Sequence, residues 1–214
     1  MSQRKVRLLP DRIPAAASNA IGRGVGALGI TPNMITLAGV VGSGVAAWLI
    51  TEEQLLIAGA VFLGFTAMDF VDGAVARATG QATPYGALLD AVMDRVGEAL
   101  VLAACIWYFA ERGEDVQAGF GYAALFGSIA VSYVRARGEA LGVATRAGLF
   151  RRQERVVLLG IGLLANGLTV VIIILAILAN LTALQRWWIV SKGLRERDRE
   201  EAEGQAGSVP SNPD

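Results

Sequence analysis

D-F-V-D-G-A-V-A-R runs from Asp69 to Arg77, A-T-G-Q-A-T-P-Y follows over residues 78–85, and G-A-L-L-D-A-V-M-D runs from Gly86 to Asp94. Four carboxylates therefore stand in an otherwise apolar stretch. Inside a bilayer such acids are expensive and mark function. Asp69 and Asp72 are i,i+3, and Asp90 and Asp94 are i,i+4, so each pair shares one face of its helix. The Gly/Thr/Pro turn between the helices folds the two faces toward each other. Four hard oxygen donors at close range repel unless divalent cations lie between them, which points to Mg²⁺ or a similar ion.

The chain around this run is greasy. Its 214 residues are 54% hydrophobic, with a mean hydropathy of +0.49, beyond the range of ordinary soluble domains. There is no histidine, which excludes histidine bases and histidine metal ligands. Cys105 is the single cysteine and forms no internal disulfide. The basic N-terminus lacks the apolar core of a cleaved signal peptide. The net charge of zero hides a strong asymmetry along the chain, and no nucleic-acid partner is expected.

Six apolar segments read as membrane-spanning helices: Met34–Ile50, Leu55–Ala78, Gly86–Ala110, Ala118–Arg137, Arg152–Ala165 and Leu168–Val190. The fifth is short on apolarity alone, and is expected to start within the basic stretch before it. Of the 19 basic residues, only Arg112 falls in a loop on the side opposite the N-terminus. The positive-inside rule then places both termini in the cytoplasm, with the aspartate run at the cytoplasmic ends of the second and third spans. The fold expected is an all-α integral membrane protein of six transmembrane helices, preceded by a juxtamembrane amphipathic helix over Asp11–Gly29. Residues 1–30 form the cytoplasmic N-terminal segment, 31–193 the six-helix domain, and 194–214 a disordered cytoplasmic tail. Thr31-Pro32 reads as the start of the first span, with proline at an early helical position.

The run D-x2-D-G-x2-A-R-x8-G-x3-D-x3-D resembles, without a gap, the signature of the CDP-alcohol phosphotransferase family. These are integral membrane enzymes that move a phosphatidyl or related group from a CDP-linked lipid onto an alcohol, releasing CMP. The match covers Asp69, Asp72, Gly73, Ala76, Arg77, Gly86, Asp90 and Asp94. The resemblance implies a Mg²⁺ or Mn²⁺ site, with two ions held by Asp69, Asp72, Asp90 and Asp94. It also implies Asp94 as general base and a homodimer. Nucleotide contacts fall to Asp72, Gly73, Arg77, Thr83 and Gly86. Gly73 and Gly86 remove side chains where a nucleotide approaches closely, and Arg77 pairs with a phosphate or with a motif carboxylate.

The acceptor is read from S-Y-V-R-A-R-G-E-A-L-G at Ser132–Gly142 and G-L-F-R-R-Q-E-R at Gly148–Arg155. Generic positive-inside charge accounts for Arg146 or Arg151. Arg135, within the end of an apolar span, asks for more. Basic residues at the level of the site imply an anionic acceptor. Both stretches resemble the bacterial phosphatidylinositol-phosphate synthase branch, which uses inositol 1-phosphate. Arg135 stands where lysine is common there, Arg151 replaces a frequent acid, and Gly138 replaces a frequent alanine. By that resemblance Ser132, Arg135, Arg152, Arg155 and Arg195 hold the acceptor, CDP-diacylglycerol is the donor, and the enzyme is a multi-pass protein of the bacterial inner membrane with its active site cytoplasmic. Synthesis of phosphatidylglycerophosphate from glycerol 3-phosphate is the alternative within the same chemistry. A divalent-cation transporter is the alternative from another class, disfavoured because the four motif acids cluster on one side and only Glu98 lies further into a span.

Overall fold

A computed structural model describes residues 29, 31–78, 83–143, 148 and 150–207, without the side chains of 69–78 and 204–207. The described residues form six α-helices: α1 Pro32–Thr51, α2 Leu55–Ala78, α3 Pro84–Glu111, α4 Asp115–Ala140, α5 Arg152–Leu164 and α6 Leu168–Gly207. The two Thr-Pro sites start helices as their chemistry dictates. Thr31 accepts a hydrogen bond from the Met34 amide at 3.3 Å, and Thr83 accepts one from the Gly86 amide at 3.0 Å. In each case proline occupies the first turn, where its missing N–H costs nothing.

Three short turns join α1 to α2, α3 to α4 and α5 to α6. Each places one residue in the left-handed region, namely Glu53 (φ 59°), Gly113 (φ 70°) and Asn166 (φ 52°). Two of these turns meet. Arg112 donates to Glu53 at 3.0 Å and to Glu114 at 3.3 Å, and its guanidinium lies over the Tyr108 ring. The hairpin turns thus gather at one end of the bundle. The aspartate helices α2 and α3 end and begin at the other.

In the packing, α1 lies against α2 and α3, α4 against α3 and α6, and α5 against α2 and α6. Close approach is bought by small residues. A Cβ on Gly127 of α4 would sit 2.9 Å from the Ala179 Cβ of α6, and Asn180 beside it donates to the Ala123 carbonyl at 2.8 Å. The core runs through Ile50, Phe62, Val101, Leu102, Phe109, Leu159, Leu163 and Ile172. The outside is also apolar: Val41, Leu56, Phe126, Ile129 and Leu184 are all exposed. α1 and α6 are long and apolar enough to cross a membrane, and Leu55–Met68 is a shorter apolar stretch within α2.

Three expectations meet the structure here. The surface helix over Asp11–Gly29 lies outside the described residues, except Gly29 itself, which has a left-handed φ of 74°. The fifth helix is short and begins at Arg152, not within the basic stretch before it: its 13 residues reach about 20 Å. The tail expected to be disordered from residue 194 is corrected, because α6 continues as helix to Gly207. Its charges are spaced for helix. Lys192 pairs with Glu196 at 3.7 Å and Arg197 with Glu201 at 3.4 Å, both i,i+4. Arg197 also donates to the Leu141 carbonyl at 3.1 Å, tying the extension to the end of α4.

Candidate active site

The last turns of α2 carry Asp69, Asp72, Gly73 and Arg77, whose side chains lie outside the description. Both aspartates are on one continuous helix, as the i,i+3 reading requires. Thr66, less than one turn earlier on α2, lines a cavity of about 160 Å³ together with Asp90, Asp94, Arg152, Gln153, Val156 and Val157. Three helices therefore meet there: α2 at Thr66, α3 with Asp90 and Asp94, and α5 with its first basic turn. A narrower crevice continues below, lined by Thr36, Ser43, Thr66, Asp94, Gly97 and Glu98 among others.

Gly86 opens α3 beside the start of α1. A Cβ there would meet Thr83 Oγ1 at 3.2 Å and Asn33 Oδ1 at 3.3 Å. That is a close approach between two helix starts, and it supplies a packing reason for the glycine besides the access it gives a nucleotide. Thr83 itself is exposed and serves as the N-cap of α3.

The acidic stripe of α3 faces the basic turn of α5. Asp94 Oδ2 lies 2.8 Å from Arg152 Nη1, both side chains partly buried. One turn deeper, Arg155 donates to both oxygens of Glu98, Nε to Oε1 at 2.8 Å and Nη2 to Oε2 at 3.0 Å. Arg155 is 1% exposed and Glu98 5%. Such a fork on a carboxylate is the strong geometry for a guanidinium. Arg95 donates instead to its own helix, at the Ala91 carbonyl.

Of the residues expected to hold the acceptor, Arg152 lines the cavity and Arg155 lies just below it. Arg135 is exposed and pairs with Glu139 at 2.9 Å across one turn of α4. Ser132 is half-buried on the same helix. Arg195 is placed elsewhere: it lines a separate cavity of about 300 Å³ with Trp187, Trp188, Lys192 and Arg199.

One arginine escaped the sequence reading. Arg186 lies within the span drawn over Leu168–Val190 and is only 6% exposed. It donates to the Val131 carbonyl at 3.0 Å, and the chain at Gly148 passes so close that a Cβ there would come within 2.9 Å of Arg186 Nη2. It stands in the electrostatic field of Arg135, Arg155, Arg151 and Glu139. The available signal was a lone charge inside an apolar run, which marks function as the aspartates do. Arg186 thus groups electrostatically with Arg135, Arg151 and Arg155, while Arg195 lines the other cavity.

The donor set fits a hard divalent cation. Asp90 and Asp94 present carboxylates one turn apart at the cavity, and all four motif acids offer only oxygen. Among the described residues no three acidic, histidine or cysteine side chains gather to hold a metal by themselves. The remaining donors of the motif are Asp69 and Asp72.

Known proteins resemble this chain in sequence and in fold. Residues 29–193 match the family model described as CDP-alcohol phosphatidyltransferase. The chain is 33% identical over 175 residues to the archaetidylinositol phosphate synthase of Pyrococcus horikoshii, covering 81% of this chain and 90% of that one. Among solved structures it resembles phosphatidylinositol phosphate synthase of Mycobacterium tuberculosis with CDP-DAG bound, with a TM-score of 0.76 and 29% identity, covering 82% of this chain and 94% of that one. The same Mycobacterium tuberculosis enzyme in complex with manganese and citrate superposes with a TM-score of 0.74 at 29% identity, covering 81% and 88% of the two chains.

Proposed function

The chain belongs to the CDP-alcohol phosphatidyltransferase family, and we propose that it moves a phosphatidyl group from CDP-diacylglycerol to inositol 1-phosphate, forming phosphatidylinositol phosphate and CMP. The observation that carries this reading is the meeting of the motif carboxylates Asp90 and Asp94 with Arg152 at one cavity, with Arg155 directly below. The aspartates answer to the diphosphate of the donor. The arginines answer to the phosphate of the acceptor. The relatives named for inositol phosphate products supply independent support.

Asp69, Asp72, Asp90 and Asp94 are the residues that would hold Mg²⁺ or Mn²⁺, two ions in this reading. Metal bound there supplies neutralisation of the diphosphate charge and of the departing CMP. The protein's own residues do the rest. Gly73 and Gly86 leave room for the nucleotide, and Arg77 and Thr83 lie at the nucleotide end of the motif. The acceptor hydroxyl attacks the phosphorus that bears the diacylglycerol, the bond to the CMP oxygen breaks, and Asp94 takes the hydroxyl proton. Arg152 orients the Asp94 carboxylate by its 2.8 Å ion pair. Ser132, Arg135, Arg155 and Arg186 form the acceptor side, where guanidinium forks bind a phosphomonoester by charge-assisted hydrogen bonds.

Arg135→Ala and Arg186→Ala, assayed with inositol 1-phosphate and glycerol 3-phosphate side by side, test the acceptor. Loss of one charge-assisted contact costs about 1.5–3 kcal/mol, so acceptor kcat/KM is expected to fall roughly ten- to a hundredfold while the CDP-diacylglycerol KM barely moves. Wild type that ignores inositol 1-phosphate and turns over glycerol 3-phosphate would overturn the acceptor assignment and leave the reaction class standing. Variants equal to wild type with every phosphorylated alcohol would reduce the arginines to topological charge.

The reading also places all six helices in the membrane, with both termini and the cavity on the cytoplasmic side of a cell membrane, in a homodimer. The exposed apolar surface of the bundle supports immersion in lipid. The gathering of basic residues at the site end, against Arg112 alone at the hairpin-turn end, supports the orientation. A cysteine introduced at Gln117 is expected to react with a membrane-impermeant maleimide in intact cells, and one at Arg146 only after permeabilisation. The buried Cys105 stays silent in both. The reverse labelling pattern would invert the topology.

A further inference from the structure

Glu98 is the acid that the motif does not use. It follows Asp94 by one turn on α3, faces the same helix, and is buried with Arg155 in a two-bond fork. α3 packs on α1 and α4, whereas α5 packs on α2 and α6. The two helices are joined across the crevice by long side chains: Asp94 to Arg152 at the cavity, Glu98 to Arg155 beneath it. Burying two opposite charges sacrifices the hydration of both, and an apolar pair of similar volume holds helices together as well or better. A tie whose only task was stability has no need of charge here.

The fork also leaves a remainder. Nε and Nη2 of Arg155 are engaged by Glu98, while Nη1 is buried and has no hydrogen-bond partner among the described residues. Buried donors are rarely left so. A guanidinium held along one edge by a carboxylate cannot rotate, and its far nitrogen is fixed as a donor. With the second cation of Arg186 in electrostatic range, that nitrogen suits an anion.

We propose that Glu98 is a positioning residue for the acceptor: it locks the Arg155 guanidinium so that Nη1 is held ready for the phosphate of the incoming alcohol. This rests on the reading of a phosphorylated acceptor given above. Glu98 touches no substrate. It sets the angle of a residue that does, and by balancing the charge of Arg155 it holds that arginine immobile at a depth where an unpaired cation would be driven toward water.

Three variants test it: Glu98→Gln, Glu98→Asp and the apolar pair Glu98→Leu/Arg155→Met. Steady-state assays vary inositol 1-phosphate or glycerol 3-phosphate, whichever wild type uses, against CDP-diacylglycerol in turn. Glu98→Gln is expected to raise the acceptor KM roughly ten- to a hundredfold with the CDP-diacylglycerol KM within about twofold. Calorimetric binding of the same phosphorylated alcohol, without CDP-lipid, is expected to weaken by a similar factor. Glu98→Asp, which keeps the charge on a shorter arm, should recover part of the loss. The apolar pair is expected to match or exceed the wild-type melting temperature in detergent while keeping the acceptor defect. It carries the test if Glu98→Gln does not fold. An apolar pair with both wild-type stability and wild-type acceptor KM would make the ion pair a mere tie and overturn the inference. So would Glu98→Gln with an unchanged acceptor KM in a protein whose wild type uses a phosphorylated alcohol. If wild type transfers only to neutral alcohols, the functional reading falls and this inference falls with it.

Discussion

Asp90→Asn is expected to abolish CMP release, with residual turnover at least about a thousandfold below wild type. The effect is electrostatic. The donor's diphosphate is an anion that must accept further charge as CMP departs. Divalent cations at oxygen ligands are worth several kcal/mol of that stabilisation, and about 4 kcal/mol is already a thousandfold. Asparagine keeps the shape of the side chain and halves its donor oxygens while removing its charge. Asp69→Asn and Asp72→Asn, on the last turns of α2, are expected to behave alike. Loss of CMP release should travel with loss of metal content, measured by elemental analysis of the purified variants and by the activity of wild type stripped with a chelator and then resupplied with Mg²⁺ or Mn²⁺. Full activity in a metal-free preparation would remove the metal from the mechanism. Inactive variants with undiminished metal content would move these carboxylates from metal ligation to some other task.

That pairing of aspartates was legible in the sequence because it is a local property. Spacings of three and four on a helix put residues on one face whatever the rest of the chain does, and α2 and α3 keep both pairs in continuous helix. The helix starts at Pro32 and Pro84 were legible for the same reason, since an N-cap threonine and a first-turn proline act within four residues. The partners of the acids were not. Asp94 meets Arg152, and Glu98 meets Arg155 57 positions away in sequence, through the relative rotation of helices that do not follow one another. Nothing in either stretch encodes that rotation. Arg155 could be read as an acceptor residue from its charge and its resemblance, but the fork that fixes it could not be read. Arg186 was hidden by its place near the end of an apolar run, where a cation also serves as a topological anchor. Arg195 entered the reading by resemblance alone, and it stands about 13 Å further along α6, lining a different cavity. The charged tail was misread in the opposite sense: composition spoke for disorder, while i,i+4 pairs and the bond from Arg197 to Leu141 extend α6 to Gly207.

Asp94→Asn is expected to separate binding from chemistry. The variant should bind CDP-diacylglycerol nearly as wild type does and lose transfer by roughly a hundred- to ten-thousandfold, the range that a positioned general base contributes. Asparagine can still accept a hydrogen bond from Arg152, so the bridge between α3 and α5 survives in weakened form, and Glu98–Arg155 below it is untouched. A collapse of the cavity is therefore not the expected cause of inactivity. The pH profile tells the base from a metal ligand. Wild-type kcat should rise on the acid side as the base ionises, and that limb should disappear from the residual activity of the variant. A ligand defect would instead raise the metal concentration needed for half-maximal rate and be relieved by excess metal. Arg152→Gln supplies the complementary case: the carboxylate remains but loses its orienting partner, and kcat should fall by less than in Asp94→Asn with the acid limb retained. Near-normal turnover of Asp94→Asn at saturating acceptor would remove Asp94 from proton transfer. The acceptor carries its own base in a phosphate dianion, and Arg155 and Arg186 would then be the residues that bring that base to the hydroxyl's side of the cavity.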